Sequence, residues 1–131
     1  MNREESKKDL QKIHDFTDLI VWKEAHRLVL AVYHNSEKFP KEEIFGLTSQ
    51  MRRAAISVTS NIAEGFGRKN YKDKIHFYFM SLGSLYELQS QLLIAKDLQY
   101  ISEPDFDVFK ALSNDVQRLL NAFINKSKTF I

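Results

Sequence analysis

The sequence predicts an all-α protein, an antiparallel up-down-up-down bundle of four helices, and three observations carry this prediction. Apolar residues recur every three or four positions in four long segments, which is typical of helices with one buried face. Turn-forming residues are few, with two prolines and four glycines among 131 residues. The connections between segments are short, which places successive helices side by side and antiparallel.

Helix 1 is predicted from Asp18, a good N-cap, to about Glu37. It ends there because Pro40 disfavours helical backbone in the residue before it, Phe39. We expect this helix to bury the apolar stripe formed by Leu19, Trp22, Ala25, Val29 and Val32.

Helix 2 is predicted from Thr48 or Ser49 to Glu64, with Gly65 in the left-handed conformation that often ends a helix. Its apolar stripe consists of Met51, Ala55, Val58 and Ile62.

Helices 3 and 4 complete the predicted bundle. Helix 3, the longest, runs from about Tyr71 to Leu98, and its stripe consists of Tyr78, Leu82, Leu85, Leu88, Leu92 and Ala95. Helix 4 begins near Ser102, with Pro104 in its first turn, and frays beyond Lys126. Its stripe consists of Phe106, Phe109, Leu112, Val116, Leu119 and Phe123.

Residues 1–15 carry four positive and four negative charges, and we expect a mobile charged tail there, or an extension of helix 1. The bundle domain then spans residues 16–131. The tail lacks the apolar segment of a signal peptide. The longest apolar run, Leu28 to Tyr33, is too short to cross a membrane. The absence of cysteine suits a reducing compartment, so a cytoplasmic location is expected.

Helices 1 and 3 carry more apolar residues than one core can bury. From Leu19 to Tyr33, eleven of fifteen residues are hydrophobic, and the consecutive aromatic residues Phe77, Tyr78 and Phe79 point in three directions. Each apolar side chain left in water forgoes roughly 1.5 to 3 kcal/mol, so a second buried surface is expected. We therefore predict a homo-oligomer assembled through helices 1 and 3.

The positive charge is concentrated in residues 46–75, although the whole chain has a formal net charge of only +2. This segment contains six basic residues against two acidic ones. We predict that the basic residues form a nucleic-acid-binding surface, with the turn between helices 2 and 3 at its centre. Arg68, Lys69, Lys72 and Lys74 are expected to contact phosphates. Arg52 and Arg53 rank lower as members of this surface, and the alternative for Arg53 is a polar network with Glu64 or Glu87.

Sequence patterns for catalysis, metal ions and cofactors are missing. The four histidines are scattered, and neither an HExxH motif nor a Glu-x-x-His pair is present. The segment from Gly65 to Lys69 lacks the spacing of a phosphate-binding P-loop. The serines have no evident partner histidine. We expect no enzymatic activity, no metal and no cofactor.

Helix 2 has a second, polar face that is rich in serine and asparagine, which are poorer helix formers than the residues usual on solvated faces. A packed polar network with helix 3 is the preferred interpretation, and a binding surface is the alternative. The predicted network consists of Ser57, Asn61, Glu64, Ser84 and Glu87.

The chain resembles the bacterial four-helix-bundle family of 23S rRNA intervening-sequence proteins over roughly residues 16–125. The matching segments include Gly46 to Ala55, Ser60 to Arg68 and Gly83 to Leu88. This resemblance implies a ring-shaped homopentamer and a role with nucleic acid. A similar branch comprises accessory proteins of diversity-generating retroelements, which implies a protein partner such as a reverse transcriptase.

Two functions are therefore expected from different classes. The first is non-catalytic RNA binding by an oligomer, favoured by the basic segment and the resemblance. The second is an oligomeric scaffold for a protein partner, favoured by the surplus apolar surface.

Overall fold

The computed structural model describes residues 13–131, and all regular secondary structure in that range is helical. The four α-helices are α1 (Ile20–Ser36), α2 (Leu47–Phe66), α3 (Tyr71–Asp97) and α4 (Glu103–Lys128). Two short 3-10 turns, Phe16–Asp18 and Lys41–Glu43, precede α1 and α2. The predicted all-helical fold class is confirmed.

Each helix packs against its neighbours in the chain, and α1 also packs against α4, so the four helices form a bundle. The contacts between α2 and α3 run in opposite directions along the two helices. The Ser81 hydroxyl donates to the carbonyl oxygen of Val58, and the Lys74 ammonium donates to that of Phe66 near the junction of the two helices. This order of contacts is that of an antiparallel pair.

The apolar stripes predicted for α2 and α3 are fully buried, whereas those of α1 and α4 are displaced around the helix. In α1, Val21 and Leu28 lie in the core, while Trp22 and Val29 pack at its edge. Apolar residues occupy adjacent faces of α1, so periodicity alone did not determine which face turns inward. In α4 the buried positions likewise include residues outside the predicted stripe, namely Ser113, Leu120, Ile124 and Ser127.

The N-terminal boundary of the folded domain lies earlier than predicted. Ile13 packs against the core, and the Asp15 carboxylate caps the first 3-10 turn by accepting the backbone N–H of Thr17 at 2.7 Å. Asp18 was predicted to cap helix 1, but its carboxylate accepts the backbone N–H groups of His14 and Asp15 instead. Residues 13–15 therefore belong to the domain, and the rest of the predicted tail lies outside the described residues.

Within residues 13–131 the left-handed residue is Gln99, not Gly65. Gln99 follows α3 with φ 64°, and the N–H of Tyr100 donates to the carbonyl of Ala95, a hydrogen bond typical of a Schellman ending. Helix α2 instead continues through Gly65 and ends at Phe66, with Gly67 as C-cap. The remaining predicted helix ends lie close to those observed, and Ser102 caps α4 by accepting the N–H of Asp105.

Gly65 is required by packing rather than by backbone conformation. A Cβ atom at this position would lie 2.6 Å from Cε1 of Tyr78 and 3.0 Å from the carbonyl oxygen of Lys74. Both residues belong to α3, and Tyr78 is only 2% exposed. The absence of a side chain at Gly65 thus allows α2 and α3 to approach closely where the Tyr78 ring enters the core.

None of the helices within residues 13–131 combines the length and the apolar character that a bilayer crossing requires.

Changing Gly65 to alanine should lower the free energy of unfolding by about 1 to 3 kcal/mol, because the new methyl group overpacks the α2–α3 contact. Gly67→Ala is the matched control, since a Cβ there would meet its nearest atom at 3.6 Å. Urea unfolding followed by circular dichroism measures both variants. Equal stability of the two would contradict the assigned role of Gly65.

Candidate nucleic-acid interface

The turn between α2 and α3 is short and held at both ends. Gly67 closes α2, and Asn70 caps α3 by accepting the backbone N–H of Asp73 at 2.9 Å. Lys69 lies in the turn and Lys72 in the first turn of α3, and both are exposed. Neither forms an ion pair or hydrogen bond within residues 13–131. These two lysines therefore offer the most available positive charges of the turn.

Arg68 and Lys74 belong to the same turn region but are engaged with the protein itself. The Arg68 guanidinium pairs with the Glu64 carboxylate at 2.6 Å and lies 4.4 Å from the centre of the Phe77 ring. The Lys74 ammonium donates to the carbonyl oxygen of Phe66 at 2.5 Å. Burial lowers the pKa of Lys74 below its usual value. Arg68 remains at the surface, whereas Lys74 faces inward.

Arg52 and Arg53 do not join this cluster, which corrects the single basic surface predicted from the sequence. They lie on α2 about 20 Å from its end at Phe66, given the 1.5 Å rise per helical residue. Nε of Arg52 donates to the Ser36 hydroxyl at 2.9 Å, and its guanidinium lies over the Tyr33 ring. Arg52 thus joins α1 to α2, while Arg53 is exposed.

The C-terminal part of α4 adds positive charges that the sequence analysis missed. The Phe130 ring stacks on Tyr71 with ring centres 4.9 Å apart, which places the end of the chain beside the start of α3. The Lys128 ammonium lies 5.2 Å from the centre of the Phe79 ring, and Lys126 lines a cavity together with Lys74. We call this surface the basic end of the bundle, and its members are Arg68, Lys69, Lys72, Lys126 and Lys128.

Three of the five residues of the predicted polar network meet between α2 and α3. The hydroxyls of Ser57 and Ser84 are 2.7 Å apart. The side-chain amide of Asn61 donates to the carbonyl oxygen of Ser57 at 2.9 Å and to its hydroxyl at 3.0 Å. Small polar side chains here pair with each other while the two helices remain close, which explains the serine and asparagine content of this face.

Glu64 and Glu87 lie outside this cluster, contrary to the sequence-based expectation. The Glu64 side chain is 55% exposed and pairs with Arg68. The Glu87 carboxylate is exposed and accepts from the side-chain amide of Gln91 at 3.3 Å, four residues along the same helix. Both glutamates point away from the α2–α3 contact, so the polar network is smaller than predicted. Arg53 forms no ion pair with either of them within the described residues.

Other chemistry-bearing side chains do not gather into a site within residues 13–131. No three histidine or carboxylate side chains come together there as a metal site would require. The exposed His26 ring stacks on Trp22 with ring centres 4.9 Å apart.

The fold and these surfaces define a small antiparallel four-helix-bundle protein with a cluster of basic side chains at one end. Residues 17–122 match the family described as 23S rRNA-intervening sequence protein, and the chain belongs to that family. No curated protein sequence matches the chain.

The chain is also similar to a solved structure from Bacteroides thetaiotaomicron, described as a protein of unknown function from the S23 ribosomal protein family. The two are 18% identical, with a TM-score of 0.74 over 80% of this chain and 98% of the other. At this identity the similarity concerns the fold.

Truncating Asn61 to alanine should cost about 1 kcal/mol of unfolding free energy, since the hydroxyl of Ser57 then loses a partner in a partly buried position. Glu64→Ala is the matched control and should change stability by less than about 0.5 kcal/mol, because its ion pair is exposed. Thermal unfolding of both variants measures the difference. An equal loss of unfolding free energy in both variants would contradict the conclusion that Glu64 lies outside the polar network.

Proposed function

We propose that this chain is a non-catalytic, homo-oligomeric helical-bundle protein that binds RNA through the basic end of the bundle. The observation that supports RNA binding most directly is the convergence of the α2–α3 turn with the C-terminal part of α4, where the aromatic rings of Phe130 and Tyr71 stack. Five basic side chains from two distant segments thereby share one end of the molecule.

The chemistry of the basic end favours phosphate over base recognition. Lysine ammonium groups act as point charges towards phosphates, and contacts to phosphate carry little sequence information. Asp73 and Glu64 lie in the same region and reduce its net charge. We therefore expect modest, largely sequence-independent affinity from one chain, which repetition in an oligomer would raise through avidity.

Self-association is supported by the outward face of α3. Five large apolar side chains on this helix are between 46% and 51% exposed, so the core of one chain does not bury them. They are Phe79, Met80, Tyr86, Leu93 and Ile94. The family resemblance implies a pentamer, and we propose that number.

Gly83 lies at the centre of this apolar face. A Cβ atom at Gly83 would have no atom of the chain within 4 Å among the residues described, so no packing contact there requires glycine. Glycine inside a helix costs about 0.5 to 1 kcal/mol relative to alanine. A close approach by a neighbouring copy of the chain would account for this cost.

A non-catalytic role is supported by the surroundings of the reactive side chains. The four histidines are exposed. The hydroxyls of Ser57 and Ser84 bond to each other, and that of Ser81 bonds to a backbone carbonyl. None of these serines is paired with a histidine that would act as its base. We propose that the protein uses no cofactor and is located in the cytoplasm.

A protein scaffold is the second candidate, and the opposite end of the bundle favours it. Phe45 is 94% exposed there, next to the exposed Ile44 and a cleft that Arg52 and Arg53 help to line. An exposed aromatic residue beside arginines is typical of the central residues of protein interfaces. The test is co-purification with a reverse transcriptase encoded beside this gene. Co-purification with the natural chain, but not with a Phe45→Ser variant, would favour the scaffold.

Replacing Arg68, Lys69 and Lys72 with glutamine should weaken RNA binding and flatten its dependence on salt. The slope of log affinity against log salt should shrink by about 1 to 2, since each lost phosphate contact removes about 0.7 for a single strand. The matched control replaces three exposed basic residues at the opposite end, Lys38, Lys41 and Arg53, and removes the same charge. RNA binding that is absent at low salt, or reduced equally in both variants, would contradict the proposed interface.

Light scattering should give a concentration-independent mass of about five chains for the natural protein. Gly83→Leu should remain helical by circular dichroism but shift towards the monomer, because the leucine side chain blocks the close approach. Asn114→Leu places the same side chain on an exposed position of α4 and should leave the mass unchanged. A monomeric natural protein would refute the oligomer, and an unchanged Gly83→Leu mass would refute this interface.

A further inference from the structure

A cavity of about 720 Å³ opens at the basic end of the bundle. All four helices contribute to it, and most of its wall is apolar. Its apolar wall includes Leu19, Phe66, Leu119 and Phe123. We call this space the end cavity. Its volume lies within the range of roughly 300 to 1,000 Å³ that is usual for sites of small organic ligands.

The charges around the end cavity are mainly positive. Lys23, Lys74 and Lys126 line it, and Asp18 is the acidic residue among its lining side chains. The Asp18 carboxylate already accepts two backbone N–H groups, at 2.8 and 3.2 Å, which lowers its pKa. It is therefore engaged in the 3-10 turn, and the cavity has an excess of positive charge.

Lys74 supplies a partly desolvated ammonium group at this cavity. One of its three N–H donors is used by the carbonyl oxygen of Phe66. It forms no ion pair with a carboxylate within residues 13–131. Burial without a counter-ion disfavours the charged form and lowers the pKa of Lys74. An anion bound beside it would offset this cost.

Tyr78 offers a second donor in the wall of the same cavity. The residue as a whole is 2% exposed, but its hydroxyl is not one of the fully buried polar atoms that lack a partner within residues 13–131, and Tyr78 lines the cavity. Burial raises the pKa of Tyr78 to about 12, so the hydroxyl keeps its proton at neutral pH. Lys74 and Tyr78 are four residues apart on α3 and so lie on one side of the helix.

We propose that the end cavity binds a single amphipathic carboxylate, of the medium-chain fatty acid class. Its carboxylate accepts hydrogen bonds from Lys74 and Tyr78, and its apolar chain lies against the wall formed by Leu19, Phe66, Leu119 and Phe123. The three lysines disfavour a cationic amphiphile of the same size. This site shares Lys126 with the basic end of the bundle, whereas Arg68, Lys69 and Lys72 of the basic end lie outside the cavity lining.

Isothermal titration of the full chain with decanoate, kept below its micelle concentration, tests the proposal. We expect saturable binding of one decanoate per chain. The uncharged decanol should bind at least tenfold more weakly, and decyltrimethylammonium should not bind measurably. Because a charge-assisted hydrogen bond is lost, Lys74→Met should weaken decanoate binding by roughly tenfold or more. Lys69→Met, which removes a nearby lysine outside the cavity, should leave the affinity unchanged.

Two further variants keep the test decisive if Lys74→Met does not fold. Tyr78→Phe should weaken decanoate binding several-fold, and Ala122→Trp, at an exposed position of the cavity wall, should block it. Circular dichroism checks that each variant is folded. The proposal is overturned if decanoate does not saturate the natural protein, or if decanol binds equally well. Equal affinity of the Lys74 and Lys69 variants, or binding only to micelles or lipid vesicles, also overturns it.

Discussion

The close contact between α2 and α3 is the constraint on which the rest of the structure depends. Gly65 leaves room for the Tyr78 ring, and the ring in turn packs against Phe123 of α4 with ring centres 4.7 Å apart. Further along the same contact, small hydroxyl side chains bond across the helices, Ser57 to Ser84 and Ser81 to a backbone carbonyl. Small and polar residues thus fix α2 against α3, and the aromatic contact between Tyr78 and Phe123 adds α4.

The α2–α3 contact also determines which positive charges are exposed at the basic end. Because α2 ends at Phe66 and α3 begins at Tyr71, the turn is short and its lysines project outward. The close approach of the helices turns Lys74 inward onto the carbonyl of Phe66 instead. One short basic segment therefore supplies two kinds of surface, an exposed row of cations and a partly desolvated ammonium at the end cavity. Gly65 lies directly beside this segment, since a Cβ atom there would come within 3.0 Å of the backbone carbonyl oxygen of Lys74.

The apolar surplus of the sequence divides into two parts in the structure. On α1, Trp22 and Val29 pack at the edge of the core, whereas the apolar side chains of Ile20, Leu30 and Tyr33 are exposed. On α3 the additional apolar side chains face away from the core, and Phe79 and Tyr86 are nearly half exposed. Exposed apolar side chains thus remain on both helices for which the sequence predicts a second buried surface, and Gly83 lies at the centre of those on α3.

The sequence by itself determined the number of helices, their approximate ends and the buried faces of α2 and α3, because the predicted stripes of those two helices repeat every three or four residues. It also placed Lys69 in the turn between α2 and α3 and Lys72 at the start of α3. Only the tertiary structure decided which face of α1 turns inward, and that Arg52 binds the Ser36 hydroxyl of α1. It also revealed that Lys126 and Lys128 join the basic end. These outcomes depend on distances between segments far apart in the chain, which periodicity and local charge do not contain. The same reason explains Gly65, since a helical glycine required for packing and a glycine that ends a helix look alike until the neighbouring helix is in place.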